Sequence, residues 1–366
     1  MRFSCYRNDL ITALQFVTRA TAITPTTPIT SGIYIKMGNN RVELQANNFS
    51  TGITTVIPAG VEVDGVTTVS GKNFFNIVRS MSNDTVTFEL DDTLLKIQGG
   101  GEQVELLTMN HEDFPTVKVP DAEFNFTIAA DDLKSLIQRT VFSVAKEDSR
   151  PIFTGCHFDI KGNVISVTAT NTHRLAVAKT QSADTCPDCN FIVPAEALRA
   201  LLAKLDTFEN RNVQVNYSGR SVAFRFENNF IVTRVIEGEF PPADKVVPKE
   251  LGTRVTVDTK EFTAAVNFIS VMAKNTQYNT INFYIDRDGI RLSAASENIG
   301  KAIKDVEATV AGEDVRISFN VDYITDVLRV IDTPQLDIGL NDTFKPILIT
   351  EPDNPNFLYV ATPVRT

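Results

Sequence analysis

The sequence repeats one order of predicted elements three times, at a spacing of about 125 residues, and this repeat restricts the fold more than any single motif. Each copy begins with a short strand that runs directly into an amphipathic helix. The three segments are Arg2–Arg7 into Asp9–Ala20, Phe124–Ala129 into Asp131–Ala145, and Arg254–Asp258 into Thr259–Ala273. Their apolar residues recur at helical spacing, as Leu10, Leu14 and Val17 do in the first helix. A period of this size predicts three similar domains rather than a solenoid.

The rest of each copy follows the same pattern. A hairpin with alternating apolar residues comes next, and its turn carries the Gly or Asn that a positive φ favours. The three hairpin strands and turns are Ile33–Met37 before Gly38–Asn40, His157–Ile160 before Lys161–Asn163, and Ile281–Ile285 before Asp286–Gly289. A second helix is predicted at Gly71–Met81, Pro194–Leu205 and Val321–Ile331, and further strands such as Val213–Tyr217 and Val222–Phe226 follow.

Strands outnumber helices in every copy, and the helices are short enough to lie on one face of a sheet. We therefore predict an α+β fold of three repeated domains, each with two helices packed on antiparallel sheets. The proline-bearing segments Pro115–Asp121 and Pro241–Leu251 fit linkers. The predicted domains are residues 1–121, 122–249 and 250–366.

The charge balance argues against a protein that holds nucleic acid by attraction over its whole surface. The formal net charge of the 366 residues is −10, whereas affinity for DNA normally comes from Lys and Arg. No apolar run reaches the roughly 18 residues of a membrane span, and the N-terminus lacks the apolar core of a signal peptide. The four cysteines do not resemble a disulfide framework, so we expect a cytoplasmic protein with no membrane partner.

Residues that could support catalysis are few. His173 has no serine or cysteine nucleophile motif beside it, and a structural or peptide-contact role fits it better. Cys186 and Cys189 have the spacing of a metal or redox pair, but no second pair completes a zinc site, and we interpret them as part of a loop. Gly99-Gly100-Gly101 lacks the Gly-Lys-Ser/Thr ending of a phosphate loop and predicts a turn. We predict no enzyme activity, no cofactor and no metal.

Several exact strings, in order and spacing, resemble the bacterial DNA polymerase III beta subunit, the sliding clamp. The strings are Thr170–Val177 with its His-Arg-Leu-Ala-Val ending, Phe319–Tyr323, Asp326–Leu328, Gly238–Pro241, Val193-Pro194 and the terminal Tyr359–Thr366. The resemblance covers essentially the whole chain.

The resemblance implies clamp-type domains and a homodimer that closes head to tail into a ring around duplex DNA, without sequence specificity. A closed ring holds DNA by topology, which removes the objection from net charge. The implied partners are the replicative polymerase catalytic subunit, the clamp loader and repair proteins that carry clamp-binding peptides. The main alternative is a three-domain peptide-binding adaptor that never encircles DNA; an enzyme built around His173 or the cysteine pair is a third.

The family's peptide-binding pocket, carried over by position, supplies apolar walls and a few polar groups. Its residues here are Phe153, Thr170, Thr172, His173, Arg174, Leu175, Pro241, Val246, Tyr278, Asn320, Tyr323, Phe344, Pro346, Val360, Thr362, Pro363, Val364 and Arg365. Two features depart from the family. Thr172 stands where the family tends to have glycine, and the chain ends Val-Arg-Thr rather than with bulkier residues. Both departures predict a reshaped pocket.

Two further sets of residues follow from the clamp resemblance. The cations predicted to face DNA from the helices are Arg19, Lys72, Arg79, Lys134, Arg139, Arg199, Lys204 and Lys274. The residues predicted at the dimer interface are Glu102, Val104, Glu105, Leu106, Met272, Lys301, Ile303 and Lys304. In the second set the strand edge Glu102–Leu107 carries acidic residues and the edge Gly300–Asp305 carries lysines, so opposite charges would meet across paired strands.

Overall fold

The structure, a computed structural model, describes residues 1–121, 124–147, 149–183, 185–205, 212–296 and 299–364. This part of the chain contains 26 strands and six α-helices, which fall into three repeats of the same order. Every repeat begins with a strand that passes into an α-helix without a connecting loop. The predicted α+β repeat is therefore confirmed, while the exact domain boundaries stay a prediction.

The elements of the first repeat are β1 (Arg2–Tyr6), α1 (Arg7–Val17), β2 (Gly32–Gly38), β3 (Arg41–Asn47), β4 (Thr51–Pro58), β5 (Gly60–Val63), β6 (Gly65–Ser70), α2 (Gly71–Ser80), β7 (Thr85–Asp91), β8 (Leu94–Gly99) and β9 (Glu102–Met109). Those of the second are β10 (Phe124–Ala129), α3 (Ala130–Gln138), β11 (Gly155–Lys161), β12 (Val164–Thr170), β13 (Arg174–Gln181), β14 (Cys189–Pro194), α4 (Ala195–Leu205), β15 (Asn212–Tyr217), β16 (Ser221–Phe226) and β17 (Asn229–Arg234). Those of the third are β18 (Thr253–Asp258), α5 (Thr259–Ala273), β19 (Thr280–Asp286), β20 (Gly289–Ser296), β21 (Gly300–Val306), β22 (Ala308–Ala311), β23 (Val315–Asn320), α6 (Val321–Leu328), β24 (Gln335–Leu340), β25 (Ile347–Glu351) and β26 (Asn354–Ala361).

The main error of the sequence prediction lies at the end of α3. The helix was predicted to continue to Ala145, but it ends at Gln138 and a short 3-10 helix follows at Val141–Ser143. The hydroxyl of Thr140 donates to the carbonyl of Leu136 at 2.6 Å, and the Thr140 backbone leaves the helical region at φ −126°. This bond satisfies a carbonyl that a continuing helix would have bonded, so the α-helix ends before Thr140.

The turns of the first two hairpins have the positive φ angles that their residues predict. Asn39 and Asn40 between β2 and β3 have φ of 53° and 57°, which is the type I′ geometry of a tight hairpin. Gly162 between β11 and β12 has φ of 60°. The glycine run after β8 is likewise a turn, with Gly100 at 56° and Gly101 at 90°.

The chain divides into two compact units. The first comprises Met1–Asp131 and Glu196–Val235, and it contains one sheet of 13 strands in the order β10-β15-β16-β17-β4-β3-β2-β6-β9-β8-β7-β1-β5. Helices α1 and α2 lie side by side, and α1 packs on β4. Leu10, Leu14, Phe74 and Phe88 are fully buried in this unit.

The second unit comprises Asp132–Ala195 and Ile236–Thr366. It contains a sheet of nine strands in the order β14-β11-β12-β13-β26-β25-β24-β18-β22 and a sheet of four in the order β21-β20-β19-β23. Helix α5 packs on β20 and β21 and lies beside α6. The side chain of Asp258 caps α5 by accepting from the backbone N–H of Glu261 at 2.8 Å.

Within each unit, one antiparallel strand pair links two repeats, and we call such a pair a joint. In the first unit β4 pairs with β17, and in the second unit β13 pairs with β26. In both cases the fourth strand of one repeat pairs with the last strand of the following repeat. The joints make the sheets continuous from one repeat to the next.

Candidate functional site

An open cavity of about 510 Å³ lies in the second unit, beside the joint between β13 and β26. Its lining comes from the 3-10 turn before β11, the turn between β12 and β13, the segment after β17, and the ends of β25 and β26. The lining residues are Phe153, Thr170, Thr172, His173, Arg174, Leu175, Phe240, Pro241, Pro242, Ala243, Lys245, Val246, Pro346, Val360 and Thr362. Most of the exposed lining is apolar, which suits apolar side chains of a ligand.

The turn between β12 and β13 is shaped by its own side chains. The side-chain oxygen of Asn171 accepts from the backbone N–H groups of His173 at 3.1 Å and Arg174 at 3.0 Å, which is an Asx turn. The hydroxyl of Thr170 donates to the carbonyl of Arg174 at 2.6 Å. Thr172 has φ of 74°, a left-handed conformation that is strained for a β-branched residue. The position that departs from the family's glycine is thus one where glycine would be unstrained.

Arg174 forms a fixed wall of the cavity. Its guanidinium donates to the carboxylate of Asp326 on α6 at 2.7 Å and to the carbonyl of Phe142. The same group lies over the rings of Phe142 and Tyr323, at 5.6 and 4.9 Å from their centroids. Its side chain is 10% exposed. Because these contacts leave the Arg174 side chain little rotamer freedom, this part of the cavity wall has a fixed orientation.

Aromatic and aliphatic side chains form the floor. Leu175 and Val360 are partners across the joint, and both are buried. Phe240 packs edge-on against Phe153 at 6.0 Å between ring centroids and stacks on His157 at 5.0 Å. Burial lowers the pKa of His157 below its ordinary value of 6.5, because it disfavours the charged imidazolium. This histidine is therefore a neutral ring at neutral pH.

The structure brings eleven of the eighteen predicted pocket residues to this one cavity. They are Phe153, Thr170, Thr172, His173, Arg174, Leu175, Pro241, Val246, Pro346, Val360 and Thr362. Six others are outside its lining: Tyr278, Asn320, Tyr323, Phe344, Pro363 and Val364. Arg365 lies outside the described residues.

The six outlying residues have identifiable places. The side chain of Asn320 caps α6 by accepting from the N–H of Asp322, and Tyr323 lies under the Arg174 guanidinium. Tyr278 and Phe344 are 64% and 72% exposed. Pro363 and Val364 follow β26, where the N–H of Val364 donates to the carbonyl of Ser318.

Four lining residues were missed: Phe240, Pro242, Ala243 and Lys245. Three of them belong to the segment Pro241–Leu251 that the sequence assigns to a linker, and Phe240 immediately precedes it. Its consecutive prolines, Pro241 and Pro242, were a signal that it is rigid enough to form a wall.

The helix cations predicted to face DNA divide into two groups. Arg19, Lys72, Arg79, Arg199 and Lys274 are exposed, and Lys134 is half-buried. Arg139 instead donates to the buried carboxylate of Glu351 at 2.7 Å and lies over the ring of Phe357. Lys204 is half-buried with its ammonium 5.7 Å from the ring of Phe16, and burial lowers its pKa. Arg139 is therefore held by the interior and does not fit the prediction, whereas the DNA contact of Lys204, which is half-buried like Lys134, stays a prediction.

The two strand edges predicted to meet at a dimer interface are β9 and β21. Strand β9 pairs with β8 along Glu102–Leu107 and with β6 only at Thr108 and Met109, so its other side has no strand partner over Glu102–Leu107 within the described ranges. Strand β21 pairs with β20 alone. Val104 and Leu106 are half-buried.

The charged and apolar interface residues are placed as follows. Glu105, Lys301, Ile303 and Lys304 are exposed. Glu102 is also exposed, and its carboxylate accepts from the N–H and hydroxyl of Ser82 at 2.9 and 3.1 Å. Met272 is half-buried, while on the same helix Phe268 and Val271 are 59% and 72% exposed. The larger exposed apolar surface of α5 thus belongs to Phe268 and Val271 rather than to the predicted interface residue, Met272.

Among the described residues, the side chains that could support redox or metal chemistry are not arranged for it. Cys186 is buried in the loop before β14, and burial raises the pKa of Cys189 to about 11, which keeps its thiol protonated at neutral pH. No group of three His, Cys, Asp or Glu side chains suited to a metal occurs among the residues described. None of the described helices is long and apolar enough to cross a membrane.

Solved structures of the same fold are sliding clamps. The structure is similar to the DNA polymerase sliding clamp from Bacillus subtilis, with a TM-score of 0.90 and 27% identity over 100% of this chain and 99% of that one. It is also similar to the sliding clamp from Pseudomonas aeruginosa bound to griselimycin, with a TM-score of 0.92 and 25% identity over the full length of both. The fold is therefore that of the sliding clamps.

Sequence comparison specifies the family within that class. Family profiles described as the N-terminal, central and C-terminal domains of the DNA polymerase III beta subunit match residues 1–118, 127–242 and 244–365. Curated relatives named "Beta sliding clamp" from Synechococcus elongatus and Halalkalibacterium halodurans are 28% and 27% identical over 100% of this chain and 99% and 100% of theirs. The chain belongs to the DNA polymerase III beta subunit family. It is a DNA sliding clamp, a non-catalytic processivity factor, and the expectation that it is not an enzyme is confirmed.

Proposed function

We propose that two copies of this chain close into a ring around duplex DNA through β9 of one copy and β21 of the other, and that the ring tethers the replicative polymerase catalytic subunit. The observation that carries the proposal is that these two strands each offer an unpaired edge. An unpaired edge presents a row of N–H and C=O groups that another strand can bond. A contact between two different edges is heterologous, so it closes a ring without being self-complementary.

Enclosure explains how an acidic protein holds DNA. The net charge of −10 opposes binding by attraction, whereas a closed ring needs only to be unable to leave. The exposed helix cations Arg19, Lys72, Arg79, Arg199 and Lys274, with the half-buried Lys134, are the residues we assign to the DNA side. Helix α6 carries Asp322, whose carboxylate lies 3.7 Å from the Lys274 ammonium, so attraction to DNA is local and weak, and sliding is free.

Retention on circular and linear DNA tests encirclement. Protein loaded on nicked circular DNA should remain bound through a few hundred millimolar salt, because a ring that encloses DNA does not depend on counterion release to stay there. It should be lost once the circle is cut, since sliding off requires only an end. Equal and salt-sensitive retention on both forms would contradict encirclement and favour the adaptor alternative.

We also assign the cavity beside the β13–β26 joint to peptides of partner proteins, namely the polymerase, the clamp loader and repair proteins. Apolar floor residues such as Leu175 and Val360 suit aliphatic or aromatic anchors, and Arg174, His173 and Thr172 supply polar groups at the rim. Because Thr172 carries a side chain at the rim, we expect the preferred peptide to differ from that of relatives with glycine there.

A charge at the mouth of the cavity tests this assignment. Leu175 is only 4% exposed and packs with Val177 and Val360, so a carboxylate at this position threatens folding itself. Val246 lines the cavity and is 53% exposed, so Val246→Asp leaves the core intact. We expect it to abolish stimulation of the replicative polymerase, because an unpaired carboxylate would face the apolar anchors of the peptide.

The matched control is Val63→Asp, which places the same charge on an equally exposed valine of β5 in the first unit. It should stimulate the polymerase normally. Normal stimulation by Val246→Asp, or an equal loss in both variants, would show that the cavity is not the peptide site.

A further inference from the structure

An open groove of about 640 Å³ lies on the four-stranded sheet of the second unit, on the face opposite α5. Side chains alternate along β19, so Ile281 and Phe283 are buried while Asn282 and Tyr284 line the groove. The ring of Phe262 on α5 packs against Phe283 from the buried side. We call this depression the sheet groove. The polar residues that its strands contribute are Asn282, Tyr284, Arg291, Ser293, Arg316 and Ser318.

Two rows of directly opposite residues cross the sheet groove. In the first row, Tyr284 on β19 lies between Arg316 on β23 and Arg291 on β20. In the second row, Asn282 lies between two serines, one on each of the same two neighbouring strands. The described lining thus contains two arginines and no Asp or Glu, in a chain whose net charge is −10. This local excess of cations distinguishes the groove from the acidic average of the protein.

Arg316 is the arginine of the sheet groove whose charge is uncompensated. Its side chain is exposed, and its guanidinium lies 4.8 Å from the ring centroid of Tyr284 without an ion pair to any described carboxylate. Arg291, by contrast, donates to both carboxylate oxygens of Asp305, at 2.6 and 3.3 Å. Contact with an aromatic face orients a guanidinium and leaves the N–H donors in its plane available. Arg316 is therefore able to bind a carboxylate from outside the chain.

Neutral donors accompany Arg316 in the sheet groove. The hydroxyl of Ser318 donates to the side-chain oxygen of Asn282 at 2.7 Å, which leaves the two N–H donors of that amide without an acceptor among the described residues. Ser293 on β20 and Thr343 on the turn between β24 and β25 add two hydroxyls. A charged donor with several neutral donors suits an anionic oxygen group, such as a carboxylate.

The turn between β24 and β25 connects the sheet groove with the cavity beside the β13–β26 joint. Thr343 on this turn lines the groove, and Pro346 on the same turn lines the cavity. The turn is held by Asp342, whose carboxylate accepts from the N–H groups of Phe344 and Lys345 at 2.8 and 3.0 Å. The groove and the cavity therefore share one wall.

The segment after β26 makes a second connection between them. Thr362 lines the cavity, and two residues later the N–H of Val364 donates at 2.8 Å to the carbonyl of Ser318, which lines the groove. The Cα atoms of Thr343 and Pro346 are at most about 11 Å apart, because only three peptide units separate them. A peptide bound in the cavity therefore reaches the groove with a few extended residues.

Resting on the peptide-binding function proposed above, we propose that the sheet groove binds an acidic stretch that flanks the apolar anchors of a partner's peptide. Arg316 pairs with a carboxylate of that stretch, and Asn282 and Thr343 donate to it. Lys274, one of the cations assigned to DNA, follows α5, and α5 covers the opposite face of this sheet. The groove is thus turned away from the DNA side, which favours a peptide carboxylate over a DNA phosphate as its ligand.

Fluorescence anisotropy with labelled synthetic peptides tests this proposal. Each peptide carries leucine and phenylalanine anchors, a short spacer, and a tail of either glutamates or glutamines, and the tail is placed before the anchors in one pair of peptides and after them in another. In one of the two pairs, the unsubstituted chain should bind the glutamate tail roughly five-fold more tightly than the glutamine tail, as an exposed ion pair allows. Arg316→Glu should abolish this preference and leave the affinity for the glutamine tail unchanged.

Arg287→Glu is the matched control, because it makes the same change of charge at a 92% exposed residue between β19 and β20, outside the lining of the sheet groove. It should keep the preference. Equal affinity for both tails, a preference that persists in Arg316→Glu, or an equal loss in both variants would overturn the role of the groove while the cavity assignment stands. Normal binding of the glutamine-tailed peptides by Val246→Asp would contradict the cavity assignment instead. Binding of a labelled oligothymidylate that only Arg316→Glu abolishes would assign the groove to nucleic acid and overturn the proposal.

Discussion

Truncation of Phe268 to alanine should weaken the dimer without weakening the subunit. The side chain is 59% exposed in the single chain, so its loss removes little of the core. If a second copy covers it, roughly 120 Å² leaves water out of the roughly 200 Å² of an aromatic side chain. At about 25 cal/mol per Å² this area contributes about 3 kcal/mol. Ordering costs on association reduce the figure to about 2 kcal/mol per joint.

A head-to-tail ring of two copies has two identical joints, so the substitution acts twice. The loss of about 4 kcal/mol corresponds to a dissociation constant raised roughly 1,000-fold. Sedimentation velocity across a dilution series measures that constant, and urea denaturation measures the subunit's stability. Phe344→Ala, at a residue 72% exposed on the β24–β25 turn, is the control and should leave both quantities unchanged.

Phe16→Ala is the complementary variant, because Phe16 is the tenth residue of α1, as Phe268 is of α5, but is only 3% exposed and packs against Phe226 of β16. It should lower the free energy of unfolding by about 3–5 kcal/mol, as truncation of a buried phenylalanine does. An unchanged dissociation constant for Phe268→Ala would show that no second copy covers Phe268. A fall in subunit stability as large as that of Phe16→Ala would show that Phe268 is covered within its own chain.

Three further predictions concern the second unit. Arg139→Ala leaves the buried carboxylate of Glu351 without its cation, so urea denaturation should show a loss of about 3–5 kcal/mol, while the folded fraction keeps its retention on circular DNA. Thr172→Gly relieves the strain of φ 74°, and the free energy of unfolding should rise by about 0.5–1 kcal/mol after glycine's larger unfolded-state entropy is subtracted. Because the pKa of His157 is lower in the folded than in the unfolded state, its contribution to stability is full above pH 6.5 and is lost as pH falls through the folded pKa. Denaturation at pH 7.5 and 5.5 should show this loss, and His157→Phe, which keeps a ring against Phe240, should reduce it.

The sequence predicted the elements that follow from local periodicity. The strand–helix junctions were found because period-two and period-3.6 patterns meet there, as at Asp258 and Thr259. The early end of α3 was missed because apolar spacing continues through Val141 and Val144, and the bond from the Thr140 hydroxyl that ends the helix has no periodic signature.

The cavity was less accessible from sequence alone. Its strand residues came from the family resemblance, but Phe240 and Lys245 lie in a segment without periodicity, and only tertiary packing turns that segment toward Phe153. Arg139 was misassigned for the same reason. On a helical wheel it lies off the apolar stripe, and its partner Glu351 is more than 200 residues away. Long-range pairing of charges leaves no local pattern.

The two joints within the chain and the proposed joint between two copies differ in polarity, and they also respond differently to dilution of the protein. The β4–β17 and β13–β26 joints link segments of one chain, so their partners meet at an effective concentration in the millimolar range, whatever the amount of protein present. Uncharged pairs such as Thr54 with Phe230 suffice under those conditions. In the proposed ring, the pairing of β9 with β21 has no tether, and it alone must hold at the concentration at which the protein occurs. Selection for affinity therefore acts on a handful of side chains along these two strand edges, and added salt weakens the interactions of the same few side chains.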